Sequence, residues 1–179
     1  MIKEKEDLED KKIILVDKND KQIGVEGKTK THRDGLLHRC FSILVFNSKA
    51  ELLLQKRADD KYHCPKLWAN TCCGHPEPGE QTDEAAHRRL KEEMGFDCEL
   101  KESFVFHYRA EFDNGLIENE IDHVFIGKYS KEVRPNPKEV GDFKWMALED
   151  IKKDIAQNPD IYAPWFRIII TEHCEKLTG

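Results

Sequence analysis

The sequence predicts an α/β fold in a single domain, an α/β/α sandwich of helices packed on a mixed central sheet. Three observations predict it. Strand-like and helix-like segments are interleaved along the chain, with no internal repeat, low-complexity tract or linker. The 179 residues suffice for one proper core and are too few for two comfortable ones. Near the middle, Ala86, Leu90 and Met94 form an i, i+4, i+8 apolar row that faces a core.

The elements follow in order. Lys12–Val16 reads as a first strand, and Asp17-Lys18-Asn19-Asp20 as its turn. Phe41–Phe46 and Glu51–Gln55 are strand-like runs around the hairpin turn Asn47-Ser48-Lys49-Ala50. Lys61–Pro78 reads as a loop rich in Pro, Gly, Cys and His. Thr82 is placed to cap a helix from about Asp83 to Met94, with Gly95 as its stop. Phe104–Phe112 and Ile117–Lys128 are strands around Asp113-Asn114-Gly115, where Asn-Gly is a strong turn signal. Trp145–Ala147 closes the sheet. Leu148–Gln157 reads as a short helix stopped by Asn158-Pro159, and Pro164 opens a last helix to about Lys176.

Composition excludes several function classes. Charged residues make up 36% of the chain, and a net charge of −6 argues against a nucleic-acid binder, which needs a basic footprint. Met1-Ile2-Lys3-Glu4-Lys5-Glu6-Asp7 has no apolar core and is no secretory signal, and runs such as Ile43–Phe46 and Ile168–Ile170 are too short to span a bilayer. No membrane partner is expected. Cys40, Cys64, Cys72, Cys73, Cys98 and Cys174 contain no C-x-x-C pair, which argues against a zinc ribbon and for reduced thiols in the cytoplasm. The oligomeric state stays open, and a monomer is compatible with the chain.

The chemistry concentrates around one motif. Gly74, Glu80, Arg88, Leu90, Glu92, Glu93, Gly95 and Phe96 fit the diphosphate-handling Nudix box, G-x5-E-x7-R-E-U-x-E-E-x-G-U with U apolar. Arg89 is the single misfit, standing where the box calls for a metal-binding glutamate. A diphosphate site that exchanges a carboxylate for a cation is expected to hold its ligand without hydrolysing it in the usual way. Arg89–Glu93 and Arg88–Glu92 are each four residues apart and, on an isolated helix, read as surface ion pairs.

Glu118, Glu120 and Asp122 share one strand face that continues into Val124 and Ile126. Carboxylates that turn inward at that spacing repel one another unless a metal is bound or a pKa is raised. His32, His38 and His75 are candidate partners, and three histidines with two carboxylates suit Mn²⁺, Zn²⁺ or Fe²⁺ better than Mg²⁺. Cys73, before Gly74 and His75, is expected to have its pKa lowered by cationic or metal neighbours, as a proton-transfer group needs. Lys28, Arg57, Lys61 and Arg89 are enough to cradle a diphosphate. Trp165, if it faces the pocket, offers a π-face to a transient carbocation.

Taken together, these residues resemble type 1 isopentenyl-diphosphate Δ-isomerases, which share the Nudix fold. The resemblance rests on Lys28-x3-His32, Leu37-His38-x2-Phe41-Ser42, Arg57-x3-Lys61, Asn70-Thr71-Cys72-Cys73-Gly74-His75-Pro76, Arg88-Arg89, Tyr108-Arg109-Ala110, Glu118-Asn119-Glu120 and Pro164-Trp165. It runs from about Gly24 to Arg167, with a Nudix-like core at about 36–165, a short N-terminal strand region and a C-terminal helix. That family also has arginine at the position of Arg89. The resemblance implies one divalent metal (Mg, Mn or Zn) on His32, His38, His75, Glu118 and Glu120. It implies Cys73 and Glu120 as the proton-transfer pair, with Tyr108 hydrogen-bonded beside the reacting carboxylate. Glu93 and the backbone of Cys73 would hold a Mg²⁺ that arrives with the diphosphate. Lys28, Arg57, Lys61 and Arg89 would bind phosphate oxygens, and Trp165 would face the hydrocarbon of an allylic or homoallylic diphosphate.

Two other readings stay open on the sequence alone. A Nudix hydrolase accounts for Gly74, Glu80, Glu92 and Glu93 but not for Arg89, Cys73 and Glu120. A non-catalytic metal- or diphosphate-binding module accounts for the histidines but leaves the Cys-Gly-His-Pro and Glu-Asn-Glu pairing as coincidence.

Overall fold

The computed structural model of the protein describes residues 11–59, 61 and 64–177. The reading of Met1–Asp7 therefore lies outside the described residues. Among the described residues, nine strands form one mixed sheet: β1 (Lys12–Val16), β2 (Gln22–Gly27), β3 (His38–Phe46), β4 (Glu51–Arg57), β5 (Trp68–Ala69), β6 (Cys72–Gly74), β7 (Leu100–Glu111), β8 (Ile117–Lys128) and β9 (Val140–Ala147). The helices are α1 (Lys28–Asp34), α2 (Thr82–Met94), α3 (Leu148–Gln157) and α4 (Pro164–Glu172).

Strand β3 is the hub. Along one edge it pairs in parallel with β8, His38 opposite Glu120 through Phe46 opposite Lys128. It also pairs antiparallel with β1 at His38, with β6 at Phe41, Ser42 and Ile43, and with β4 at Phe46. The β3–β4 hairpin is therefore joined at its turn and splayed beyond it. Residues 70–72 fill the gap: Thr71 Oγ1 donates to Leu53 O at 2.7 Å and accepts from Val45 N at 2.9 Å. Asn70 Nδ2 donates to Ile43 O at 3.2 Å.

The period-two alternation of strands divides the core into layers. Leu44, Phe46, Leu52 and Leu54 turn toward Ile151 and Ile155 of α3 and Phe166 and Ile169 of α4. Ile43, Val45 and Leu53 turn the other way, toward Ala86, Leu90 and Met94 of α2. This is the expected sandwich, and the apolar row of α2 is fully buried.

Many boundaries fall where the sequence puts them, and several differ. Gln81 rather than Thr82 caps α2, its backbone N–H donating to Glu84 at 3.3 Å. Both Thr82 and Gln81 precede an acidic first turn, so the signal is one residue wide. Gly95 ends α2 in the left-handed region at φ 74°, and a Cβ there would stand 2.2 Å from Arg134 O, so only glycine fits. Strand β9 is longer than the Trp145–Ala147 expected, and α4 stops at Glu172 before a short 3₁₀ turn, Cys174–Leu177. The loop expected over 61–78 contains β5 and β6, too short to show a period.

The box arginine Arg88 has a structural partner. Its guanidinium donates to both oxygens of Glu80 at 2.7 and 2.8 Å and reaches Glu92 only at 3.4 Å. The hydrogen bonds from Arg88 hold the Glu80 carboxyl below its ordinary value of 4.5. The stabilisation is thus fully present above about pH 4.5 and lost as pH falls through the depressed value. Arg88→Ala is expected to lower stability by about 1 kcal/mol at pH 7, with a smaller difference at pH 3. Denaturant titrations at both pH values check this, and an equal loss at both would contradict it.

Candidate active site

The histidines and carboxylates converge. Helix α1 carries His32 one turn after Lys28, and Gly35 ends it in the left-handed region at φ 63°. Asn119 Nδ2 donates to Gly35 O at 2.9 Å, tying the helix end to β8. Strand pairing then puts His38 beside Glu120, and β6 delivers His75 just past its end. One ligand atom from each of His32, His38, His75, Glu118 and Glu120 lies within 4.8 Å of all the others.

The donor set fits a cation. His32 Nδ1 faces Lys28 O at 2.7 Å and His38 Nδ1 faces Leu36 O at 2.8 Å. A carbonyl only accepts, so Nδ1 of each ring carries the hydrogen and Nε2 points inward. There His32 Nε2 meets Glu118 Oε2 at 3.1 Å, while His38 Nε2 and His75 Nε2 meet Glu120 Oε1 at 3.1 and 2.8 Å. Lone pairs of neutral imidazoles facing carboxylates need positive charge between them, either protons or a metal. Burial presses His75 down to about 3, which keeps it neutral, as a ligand must be. At His32 burial also opposes charge, yet the bond to Glu118 raises its pKa. Burial opposes ionisation of Glu120 too, but His38 and His75 hold it well below the ordinary carboxylate value.

Asp122 takes the other route the sequence left open for that face. It sits 1% exposed, accepts from Ser42 Oγ at 2.8 Å and stays outside the ligand cluster. Burial, with Glu120 nearby, pushes its carboxyl up to about 8.

The cluster opens into a cavity of about 260 Å³. Cys73 and Glu120 both line it, from strands on either side of β3. Tyr108 OH donates a short hydrogen bond to Glu120 Oε2. Arg57 Nη1 points at Cys73 Sγ at 3.8 Å. The expected lowering of the Cys73 pKa does not occur: burial outweighs Arg57 and Lys61 and pushes the thiol up to about 11.

The lining is also basic. Lys28, Arg57, Lys61, Arg88 and Arg89 all line the cavity. Glu93, 2% exposed, accepts from Arg89, from Lys61 at 3.4 Å and from Gln55 Nε2 at 2.9 Å. Arg89–Glu93 is therefore a buried pair rather than the surface pair an isolated helix would give. Trp165, 3% exposed, lines the same cavity, its Nε1 donating to Asn70 Oδ1 at 3.0 Å and the Arg57 guanidinium lying 5.5 Å from its ring centre.

Residues 36–166 match the NUDIX domain family. Among solved structures, a Deinococcus radiodurans protein superposes with a TM-score of 0.73 at 16% identity, covering 89% of this chain and 97% of its own. A MutT protein from Methanosarcina mazei superposes at 0.64 with 20% identity, covering 80% of this chain and 96% of its own. These likenesses show the fold. The sequence relatives are more specific. "Isopentenyl-diphosphate Delta-isomerase 2" of Photorhabdus laumondii is 54% identical over 161 residues, 90% of this chain and 91% of its own. "Isopentenyl-diphosphate Delta-isomerase 1" of Aromatoleum aromaticum is 52% identical over 158 residues, 88% and 89% of the two chains.

The chain belongs to the isopentenyl-diphosphate Delta-isomerase family, on a Nudix fold.

In this isomerase-family chain the site residues named from the sequence all reach one place. The five metal candidates form the cluster, and Cys73, Tyr108, Glu93, Lys28, Arg57, Lys61, Arg89 and Trp165 line the adjoining cavity. The anomalous Arg89 points into that cavity instead of supplying a carboxylate. Sequence reading gave no role to three contributors. Gln55 holds Glu93, Asn70 holds Trp165, and Glu139 pairs with Lys61 and Arg89. Of these only Asn70 stood in a motif, the run Asn70–Pro76.

Proposed function

We propose that this chain interconverts isopentenyl diphosphate and dimethylallyl diphosphate, for isoprenoid biosynthesis, by moving a proton on and off the hydrocarbon while the diphosphate stays intact. The observation that supports it best is that one cavity brings together the two proton-transfer groups, Cys73 and Glu120, and the cations Lys28, Arg57, Lys61 and Arg89. Lys28, Arg57, Lys61 and Arg89 would bind the phosphate oxygens through charge-assisted hydrogen bonds. Lys61 and Arg89 now pair with Glu93. With substrate bound they would turn to the diphosphate, leaving Glu93 and the Cys73 carbonyl to hold the Mg²⁺ that accompanies it.

Isomerisation adds a proton at C4 and removes one from C2, through a tertiary carbocation. Cys73 and Glu120 flank the space where the alkene would lie, and each serves as acid in one direction and as base in the other. Tyr108, bonded to Glu120, keeps the carboxyl oriented toward the hydrocarbon. His32, His38, His75, Glu118 and Glu120 would hold a divalent ion, Mg²⁺, Mn²⁺ or Zn²⁺, which would supply Lewis-acid charge next to Glu120. Trp165 would face the cation with its π-system and help to exclude water, which would otherwise trap it as an alcohol.

The working unit would be one domain in the cytoplasm, with a small-molecule diphosphate as partner and neither nucleic acid nor membrane. Among the described residues no helix is long and apolar enough to cross a membrane. Incubation with isopentenyl diphosphate, and separately with a panel of nucleoside diphosphate derivatives, tests the reaction class. The expected result is dimethylallyl diphosphate from the first and no phosphate or nucleoside monophosphate from any. Hydrolysis products without isomer would overturn the proposal.

A further inference from the structure

Glu139 is a carboxylate in a place where a diphosphate cradle has no evident use for one. It lines the cavity and makes ion pairs with two of the cradle cations, a short one to Lys61 and one of 3.5 Å to Arg89. Those same two cations contact Glu93. The inner cradle is thus an array in which Lys61 and Arg89 each touch both Glu93 and Glu139, while Arg89 also pairs with the exposed Glu92 at 2.6 Å. Glu93 is its inner member, with a side chain 3% exposed, and Glu139 its outer member at 26%.

The position of Glu139 is built into the fold. Ala58 N, next to Arg57, donates to Glu139 O at 3.1 Å. Glu139 N donates to Asn136 O at 2.9 Å, and Asn136 N donates to Glu93 O at 2.8 Å. The segment that carries Glu139 is therefore pinned to the end of β4 and to the last turn of α2, the two elements that supply Arg57, Arg89 and Glu93.

The electrostatic consequence depends on what enters. A bare diphosphate reaching Lys61 and Arg89 arrives at contact distance from the Glu139 carboxylate and is repelled by it. A diphosphate carrying a divalent cation brings compensating charge, and the same carboxylate then attracts the complex. We propose that Glu139 is a specificity-determining residue, whose charge makes the cradle accept diphosphate only in company with a divalent cation. This inference rests on the reading of the cavity as a diphosphate site.

Calorimetric titration of the folded protein with inorganic diphosphate tests it, in metal-free buffer and in millimolar magnesium. Glu139→Gln, which keeps the size and an acceptor oxygen, is expected to bind about tenfold more tightly than the unmodified protein without metal. In magnesium the variant is expected to bind equally or more weakly. Glu139→Asp, which keeps the charge, is expected to retain the weak metal-free binding. If Glu139 merely braces Lys61 and Arg89, Glu139→Gln would weaken binding under both conditions, and that result would overturn the inference alone. Failure of the unmodified protein to bind diphosphate even in magnesium would overturn both the inference and the reading of the cavity.

Discussion

Glu120→Gln is expected to lower turnover of isopentenyl diphosphate by at least about 10³-fold while the protein stays folded. Glutamine matches glutamate in size, and its amide oxygen can still accept from Tyr108 and occupy the same 5%-exposed position. It cannot take up or release the proton the reaction needs. Because Glu120 also contacts His38 and His75, the substitution weakens the metal cluster as well. Glu118→Gln separates the two effects. Glu118 belongs to the same cluster, through His32 at 3.1 Å and His38 at 3.9 Å, but Tyr108 bonds to its neighbour. With saturating divalent metal, Glu118→Gln is expected to regain much of its activity and Glu120→Gln almost none. Equal recovery in both would mean that Glu120 only holds metal.

Cys73→Ala is the second large effect, again at least about 10³-fold in kcat. The loss should fall on kcat and leave KM within a few-fold, because Lys28, Arg57, Lys61 and Arg89 remain and the substrate is anchored by its diphosphate. Arg57 keeps its hydrogen bond to Cys64 O at 3.2 Å after the sulfur is gone, so the cradle retains its shape. Removing one partly buried sulfur costs about 1 kcal/mol of stability, too little to unfold the protein. Steady-state kinetics beside a denaturant titration check both halves. A variant with unchanged kcat would remove Cys73 from the proton-transfer pair.

The sequence was most legible where periodicity and charge coincide. Helix α2 announced itself through its apolar row and Gly95, and β8 through three carboxylates followed by Val124 on one face. In β8 the physical conflict itself was the signal: a face that carries Glu118, Glu120 and Asp122 and then turns apolar has to be neutralised. The fold does this in two ways, by clustering histidines around the first two and by raising the pKa of the third.

Elements without a buried apolar stripe stayed hidden. Strand β2 lies at the sheet edge with Ile23 66% exposed, and α1 is seven residues long, burying only Thr31 and His32. Nothing in Lys-Thr-Lys-Thr-His-Arg-Asp reads as a helix by period. It forms because Gly35 ends it and because its side chains serve the site. Glu139 was hidden for a different reason. It follows Pro135 and Pro137 in a stretch with no period, and its role comes entirely from tertiary pinning between Ala58 and Asn136. The misjudged pKa of Cys73 has the same origin. Cationic neighbours can be guessed from sequence, but the depth at which they and the thiol are buried cannot.

Arg89 stands where a Nudix box has a glutamate, and it points into the cradle beside Glu93. On the proposed reading, this box anchors a diphosphate while Cys73 and Glu120 move protons on the hydrocarbon of the substrate. The most direct measurement is NMR of isopentenyl diphosphate incubated with the protein and a divalent ion in D₂O. The expected product is dimethylallyl diphosphate with deuterium in a methyl group and both phosphorus resonances intact. Release of phosphate, or isomer formed without any deuterium, would contradict that reading.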